Sequence, residues 1–402
     1  MDSSQLEAVG PVPPGTPDAL ARARALRSLL DAHGAAMDQA CELSPAVLDA
    51  LYEADFFRLL TPRGIGGGAT PLPIFAEITE ALARGDASTA WCICQGNVSA
   101  MSSATYLEPE VARRLFGDRR SALAWGARHG RARAVPVAGG YRVTGAWDFA
   151  SGSRHATLLG AHVPVVLADG TLRPGPDGKP EDRTVLFPKS AARIIDDWHS
   201  LGLRGTGSDT YEVVDLFVPD SHAIARDRPE ERRDHGPLTA FTSHLCYASG
   251  FSGVALGIAR AMLDTFLELA RGKAARAGLT IMRDNHAVQL QVGQLEARLR
   301  AARMYLLGTV REAWEEAVAT GALTMDTRMA LRLATTHVIG EATEVSVACY
   351  RAAGTTAVLE SNPFERRFRD AMCASQHLQG GPWHIEMVGR HVLGVEQSPQ
   401  FV

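Results

Sequence analysis

The chain lacks any uninterrupted apolar run approaching the roughly 20 residues a helix needs to cross a bilayer, so no membrane segment is expected. Its start, Met1 to Gly15, is polar and proline-rich. It has none of the charged-then-apolar order of a secretory signal, which points to a cytoplasmic protein. Cysteine is sparse. Six in 402 residues build no disulfide framework, and Cys92 and Cys94 stand one residue apart, the wrong spacing for a C-x-x-C redox or zinc pair. Buried free thiols are the expectation. Neither sign of charge dominates: 41 basic against 45 acidic residues leave a net charge of -4, which favours neither nucleic acid nor acidic membranes as partners. Internal repeats and low-complexity tracts are also missing. What is present is 46% hydrophobic residues, enough for a large core divided into two or three domains.

Three textures follow one another. The first, 1–120, reads as an N-terminal α-helical domain. Ser44-Pro45 offers an N-cap and a first-turn proline ahead of the apolar face Val47, Leu48 and Leu51. Pro71-Leu72-Pro73 opens a second helix with Ile74, Phe75, Ile78 and Leu82 on one stripe, and the glycine-rich run 62–68 between them is a loop. The second texture, 121–225, has β-branched and alternating runs at 158–167, 184–187 and 211–218, and Gly139-Gly140 between two β-prone arms. Several strands without intervening helices predict an antiparallel barrel or sandwich rather than a Rossmann sheet. The third, 226–402, returns to helix. Val288, Val292, Leu295, Leu299, Ala302, Leu306 and Val310 step by four and three, and similar segments at 251–271 and 327–353 call for a helical bundle.

Particular strings carry a resemblance. Glu80 to Trp91 contains Ala83-Arg84-Gly85-Asp86-Ala87-Ser88; Gly140-Tyr141-Arg142-Val143-Thr144-Gly145 leads into Trp147 to Gly152. Leu203-Arg204-Gly205-Thr206-Gly207-Ser208-Asp209 runs on to Val218-Pro219, and Tyr350 to Gly354 precedes Arg367-Phe368-Arg369-Asp370-Ala371. In this order and spacing the chain resembles the acyl-CoA dehydrogenase superfamily from about Asp18 to Gly394. The resemblance implies an α+β fold with an N-terminal α-helical domain, a central antiparallel β-barrel and a C-terminal four-helix bundle. It also implies a flavin between barrel and bundle, and a homotetramer or dimer.

Dehydrogenases of that superfamily need a carboxylate base. Aligned on Arg369-Asp370-Ala371, one family position for it falls on Leu378, and the other falls near Tyr247. Neither residue is a carboxylate, and leucine accepts no proton. Instead the chain reads Ser375-Gln376-His377, and Phe149-Ala150-Ser151-Gly152-Ser153-Arg154-His155-Ala156 is similar to the flavin monooxygenase version of the ring-facing segment. The implied activity is that of a two-component monooxygenase. Such an enzyme takes reduced FMN or FAD from a separate flavin reductase, forms a flavin hydroperoxide with O2, and oxygenates a small aromatic or heteroatom-containing molecule.

In that reading Ser151 bonds the reactive edge of the flavin and His377 serves as acid or base. Asn97 stands near the place where many aromatic hydroxylases carry another histidine, and it can only hydrogen-bond. The resemblance implies flavin contacts from Trp125, Phe149, Ser151, Ser153, Arg204, Thr206 and Ser208, and at the phosphate end from Arg276, His286, Gly354 and Thr355. From the residues alone, Arg204 to Ser208 reads equally well as a glycine-rich turn, Arg276 as a solvated charge and His377 as a structural histidine. His377, His384 and His391 recur every seven residues, two helical turns apart, too far for adjacent metal ligands, so no metal is expected. A relocated-base dehydrogenase or oxidase, or a non-redox use of the fold, are the alternatives.

Overall fold

The computed structural model describes residues 17–176, 178–226, 228–274, 281–395 and 402. It begins with six helices, α1 (Pro17–Ala25), α2 (Arg27–Ala40), α3 (Pro45–Glu53), α4 (Leu72–Ala83), α5 (Ala87–Ala104) and α6 (Pro109–Phe116). Ser44 caps α3 as its sequence promises, its side chain accepting from the Val47 N–H. Helix α5 is buried on almost every side, and its many Ala, Ser, Cys and Gly residues let neighbouring elements approach closely.

Eight strands follow: β1 (Leu123–Trp125), β2 (Ala127–Val137), β3 (Gly140–Asp148), β4 (Leu158–Pro164), β5 (Asp182–Pro188), β6 (Arg193–Ile195), β7 (Thr210–Pro219) and β8 (Ala223–Ile224). The hairpin at Gly139-Gly140 joins β2 to β3, with Gly139 in the left-handed region at φ 76°. The expected closed antiparallel barrel is not formed. The strands make two four-stranded sheets, ordered β1-β4-β5-β8 and β2-β3-β7-β6, and β1 pairs with β4 in parallel. After Trp125 the chain leaves the first sheet, builds the β2–β3 hairpin in the second, and re-enters at Leu158. That detour is the long crossover a parallel pair requires. The short β6 and β8 end their sheets without pairing to each other, which leaves the structure open. Trp147, Tyr211, Phe187, Leu159 and Val163 belong to the hydrophobic core of this β region.

The chain closes with α7 (Ser243–Gly272), α8 (His286–Thr320), α9 (Met325–Ala353), α10 (Pro363–Ser375) and α11 (Trp383–Val392). Helices α7, α8 and α9 pack side by side, and α10 leans on α7 and α9. The α8 seam is buried at Leu295, Leu299, Ala302, Leu306 and Val310, while Val288 and Val292 are only partly covered. Helix α7 also packs on α4 at very short range. A Cβ at Gly253 would lie 2.3 Å from the Ala76 carbonyl oxygen, so only glycine permits the approach. The chain breaks helix after Ser375 and resumes at Trp383, so His377, His384 and His391 do not share one helical face.

Candidate active site

Two loops converge behind α5. The turn after β3 places Phe149 in the left-handed region at φ 58°, an uncommon conformation for a bulky residue that marks sites where surroundings impose strain. The residue is 66% exposed, its ring edge-on to Trp198 at 6.0 Å. The second loop, Leu203 to Asp209, lies against it. Gly152 N–H donates to the Thr206 carbonyl at 2.8 Å, and Ser153 Oγ donates to the Gly207 carbonyl at 2.8 Å. Arg154 locks the pair through two bonds to Asp209, Nε to Oδ2 at 2.7 Å and Nη2 to Oδ1 at 3.1 Å.

Between the loops runs a line of buried hydroxyls. Ser151 Oγ and Ser208 Oγ are 2.8 Å apart, and Ser208 Oγ and Thr206 Oγ1 are 2.7 Å apart. Thr206 Oγ1 donates to the Leu203 carbonyl at 2.7 Å. At the other end the Trp91 indole N–H donates to Ser151 Oγ at 3.1 Å. Trp91 stacks on Phe251 of α7 at 3.9 Å, and both rings meet His377 edge-on, at 5.1 and 4.7 Å. The structure therefore brings Ser151 and His377 to the same indole. Burial pushes the His377 imidazole down to about 4, so it is neutral at pH 7. Its Nδ1 accepts from the Gln379 N–H at 3.4 Å, which leaves Nε2 as the protonated nitrogen.

The positions named for a dehydrogenase base carry no base. Leu378 offers its carbonyl to His384 Nε2 at 3.0 Å, and the Tyr247 hydroxyl pairs with Ser99 at 2.9 Å, its phenol pushed up by burial. Trp125 lies in β1 with the Arg226 guanidinium 4.5 Å over its ring and His162 edge-on at 4.7 Å.

Asn97 takes no part in the convergence. Its amide donates to the carbonyls of Phe56 (2.7 Å) and Ile93 (2.8 Å) and accepts from Leu60 N–H at 3.1 Å. All of its strong bonds go to backbone, so the residue pins the 56–60 segment to α5 instead of facing a substrate. Asn97→Ala is expected to cost about 1–3 kcal/mol by leaving buried backbone groups unpaired, read as a lower denaturation midpoint. His286 is the exposed first residue of α8, and Gly354 and Thr355 are exposed where α9 ends. None of these three joins the hydroxyl line. Arg276 lies outside the described residues. Arg204 follows Leu203 in the second loop, and its buried Nε has no hydrogen-bond partner.

Trp91 and Phe251 were not legible as site residues, because an aromatic at helical spacing reads as core. Asp370 is a further find. Its Oδ1 accepts from Leu203 N–H at 2.7 Å and so fixes the loop that carries Thr206 and Ser208. Burial raises this carboxyl to about 7.

Buried imidazoles also set an acid limit. His155 and His377 are both held near 4 by burial, against about 6.5 unfolded. Below pH 6.5 the unfolded chain takes up protons that the folded chain refuses. The contribution of these two imidazoles is therefore complete above about pH 6.5 and declines as pH falls toward 4, by on the order of 1–3 kcal/mol per imidazole, while Asp370, raised to about 7, is relieved over the same window and offsets part of that loss. Urea midpoints measured across that window check it.

The order of helices, two small sheets and long packed helices defines an acyl-CoA dehydrogenase-like fold. Residues 249–380 match the family model described as acyl-CoA dehydrogenase, C-terminal domain. Two curated relatives extend the likeness along the chain. Indole-3-acetate monooxygenase of Pseudomonas putida is 28% identical over 389 residues, 96% of this chain and 97% of the relative. The oxygenase component of the FADH2-dependent resorcinol hydroxylase of Rhizobium sp. is 28% identical over 391 residues, covering 90% and 91%. Among solved structures, XiaF from Streptomyces sp. in complex with FADH2 and glycerol superposes with a TM-score of 0.85 at 23% identity, covering 95% of this chain and 96% of that one. The resemblance to the acyl-CoA dehydrogenase superfamily therefore holds, and along most of its length the chain is similar to proteins named as a monooxygenase and as the oxygenase component of a hydroxylase.

Proposed function

We propose that this chain is the oxygenase component of a two-component flavin-dependent monooxygenase. It takes reduced FMN or FAD from a separate flavin reductase and uses O2 to oxygenate a small aromatic or heteroatom-containing substrate. One oxygen atom enters the substrate and the other leaves as water. The observation that carries the reading is the joining of Ser151 to a neutral His377 through Trp91, at a place where a dehydrogenase needs a carboxylate. The donor set fits a flavin. Phe149 offers an exposed ring held in a strained turn, beside the buried hydroxyls of Ser151 and Ser208. The buried, unpartnered Arg204 Nε is a spare donor in the same loop.

The residues divide the work. Phe149 and Trp125 would pack on a bound flavin ring, Ser151 would bond its polar edge, and Ser153, Thr206 and Ser208 hold the two loops together. When bound, the reduced flavin supplies the two electrons that O2 requires. His377 meets the Trp91 indole edge-on and, neutral with its hydrogen on Nε2, would donate that N–H to a polar atom of the bound substrate. The apolar wall of Trp91, Phe251 and Tyr247 excludes water, which would otherwise divert the oxygen to hydrogen peroxide. The phosphate end of the flavin would fall to Arg276, His286, Gly354 and Thr355, the last three exposed and so open to a neighbouring subunit.

The division into 1–120, 121–225 and 226–402, the last a four-helix bundle, belongs to the same reading. So does a homotetramer or dimer, supported by Leu290, Met304 and Val318, exposed at two-heptad steps along α8. The six cysteines are all free, four buried and two half-buried, in keeping with a reducing cytoplasm. Among the described residues no helix is long and apolar enough to cross a membrane.

The test is anaerobic loading with reduced FMN or reduced FAD, followed by 18O2 and a panel of phenols, indoles and aromatic amines. Incorporation of one 18O atom into product supports the reading, and the flavin that sustains it names the cofactor. Release of peroxide with no labelled product from any candidate, together with bleaching of bound flavin by an acyl thioester, would return the chain to the dehydrogenases.

A further inference from the structure

The hydroxyl line has a direction. Leu203 O can only accept, so the single hydrogen of Thr206 Oγ1, 2.7 Å away, points at it. Two oxygens at that distance without a hydrogen between them would repel. Thr206 Oγ1 is then an acceptor toward Ser208, whose own hydrogen is used across the 2.7 Å between them. Ser208 Oγ in turn accepts from Ser151 across 2.8 Å. The Trp91 indole N–H, which can only donate, fills one lone pair of Ser151 Oγ at 3.1 Å. Ser151 ends with its hydrogen spent and one lone pair open. The three side chains are 7%, 3% and 2% exposed, so water does not readily reset the line. Its anchor is itself fixed, because Leu203 sits at φ 52° with its N–H on Asp370 and its carbonyl also taking the Trp198 indole N–H at 3.2 Å.

We infer that Thr206 and Ser208 are positioning residues that hold Ser151 as a hydrogen-bond acceptor and so tune the site to reduced rather than oxidised flavin. The inference rests on the function proposed above. An oxidised flavin ring presents bare nitrogens at its polar central edge and needs a donor there. The reduced ring carries an N–H and needs an acceptor. A serine whose hydrogen is drawn away down a buried line offers the second and withholds the first. Preference for the reduced ring is then set by a carbonyl three residues before Thr206, through two hydroxyls that need not touch the flavin.

The experiment is an anaerobic titration of the full-length protein with reduced and with oxidised FMN and FAD, read by protein fluorescence and flavin absorbance. The quantity is the ratio of the two dissociation constants for whichever flavin binds. The unmodified protein is expected to favour the reduced form. In Ser208→Ala and in the near-isosteric Thr206→Val the Ser151 hydrogen is released to donate. The preference should fall at least tenfold in each, equivalent to about 30 mV in the midpoint potential of the bound flavin. Thr206→Ser restores the hydroxyl and should restore the preference, which a merely packing role of the threonine methyl would not. A ratio that stays constant in both variants, with flavin still bound, overturns the inference and leaves the proposed function standing. Failure of the unmodified protein to bind either form of either flavin overturns both.

Discussion

Replacing His377 with alanine is expected to lower the rate of substrate oxygenation by about 10²–10⁴-fold, the usual contribution of a positioned acid or base. Affinity for reduced flavin should stay within a few-fold. The split follows from placement. His377 is held by ring contacts to Trp91 and Phe251 and by the Gln379 N–H, while the hydroxyls of Ser151, Ser208 and Thr206 are bonded to one another without it. Oxygen should still be consumed in the variant, with its yield diverted to peroxide. The neutral state of the ring gives a second signature. Burial sets its titration near 4, so the rate should be insensitive to this group from about pH 6 to 8 and fall only as the solution approaches pH 4 and the ring takes a proton. A product yield unchanged in His377→Ala, measured with saturating reduced flavin, would assign the residue to structure alone.

The largest stability effect is expected at the start of α5. Asp86→Ala should lower the free energy of unfolding by about 3–5 kcal/mol, the cost of breaking a buried ion pair from one side. Asp86 is 3% exposed and caps the helix, its Oδ1 accepting from the Thr89 N–H at 2.7 Å and from the Thr89 hydroxyl at 2.8 Å. Its other oxygen takes Arg366 Nη1 of α10 at 3.1 Å. Arg366 has little room to leave, since a Cβ at Gly34 would lie 2.1 Å from that same nitrogen. Removing the carboxylate strands a guanidinium that is 8% exposed and uncaps the helix that carries Trp91. Asp86→Asn keeps a capping oxygen and should cost less. Urea denaturation of the three proteins ranks them, and equal midpoints for Asp86→Ala and the unmodified chain would refute the account.

Much of the architecture was legible because it depends on short-range pattern. The Ser44 cap, the Pro71 helix start, the turn at Gly139-Gly140 and the apolar seam of α8 are statements about residues within about one to three turns of each other. Asp86 could be picked out within a recognisable string, and its capping role is local. The absence of a carboxylate at Leu378 and Tyr247, which separates the two chemistries of this superfamily, is a property of composition at a position and needs no coordinates.

The tertiary structure decided everything that depends on separation. Ser151 meets Ser208 across 57 positions and Trp91 across 60, so neither bond leaves a trace in local periodicity. Asn97 reads as a possible site residue until Phe56 and Leu60 arrive from 41 and 37 positions away to occupy its amide. The three histidines spaced by seven read as one face until the break at 376–382 separates the first from the others. Strand texture, likewise, announced β structure but not whether its edges would close, because closure depends on register, strand length and the path of the crossover. Side-chain type and near-neighbour spacing determined which elements this chain builds and which base it lacks. Only packing, which joins residues by distance in space, decided how a carbonyl at Leu203 comes to orient a serine beside Trp91.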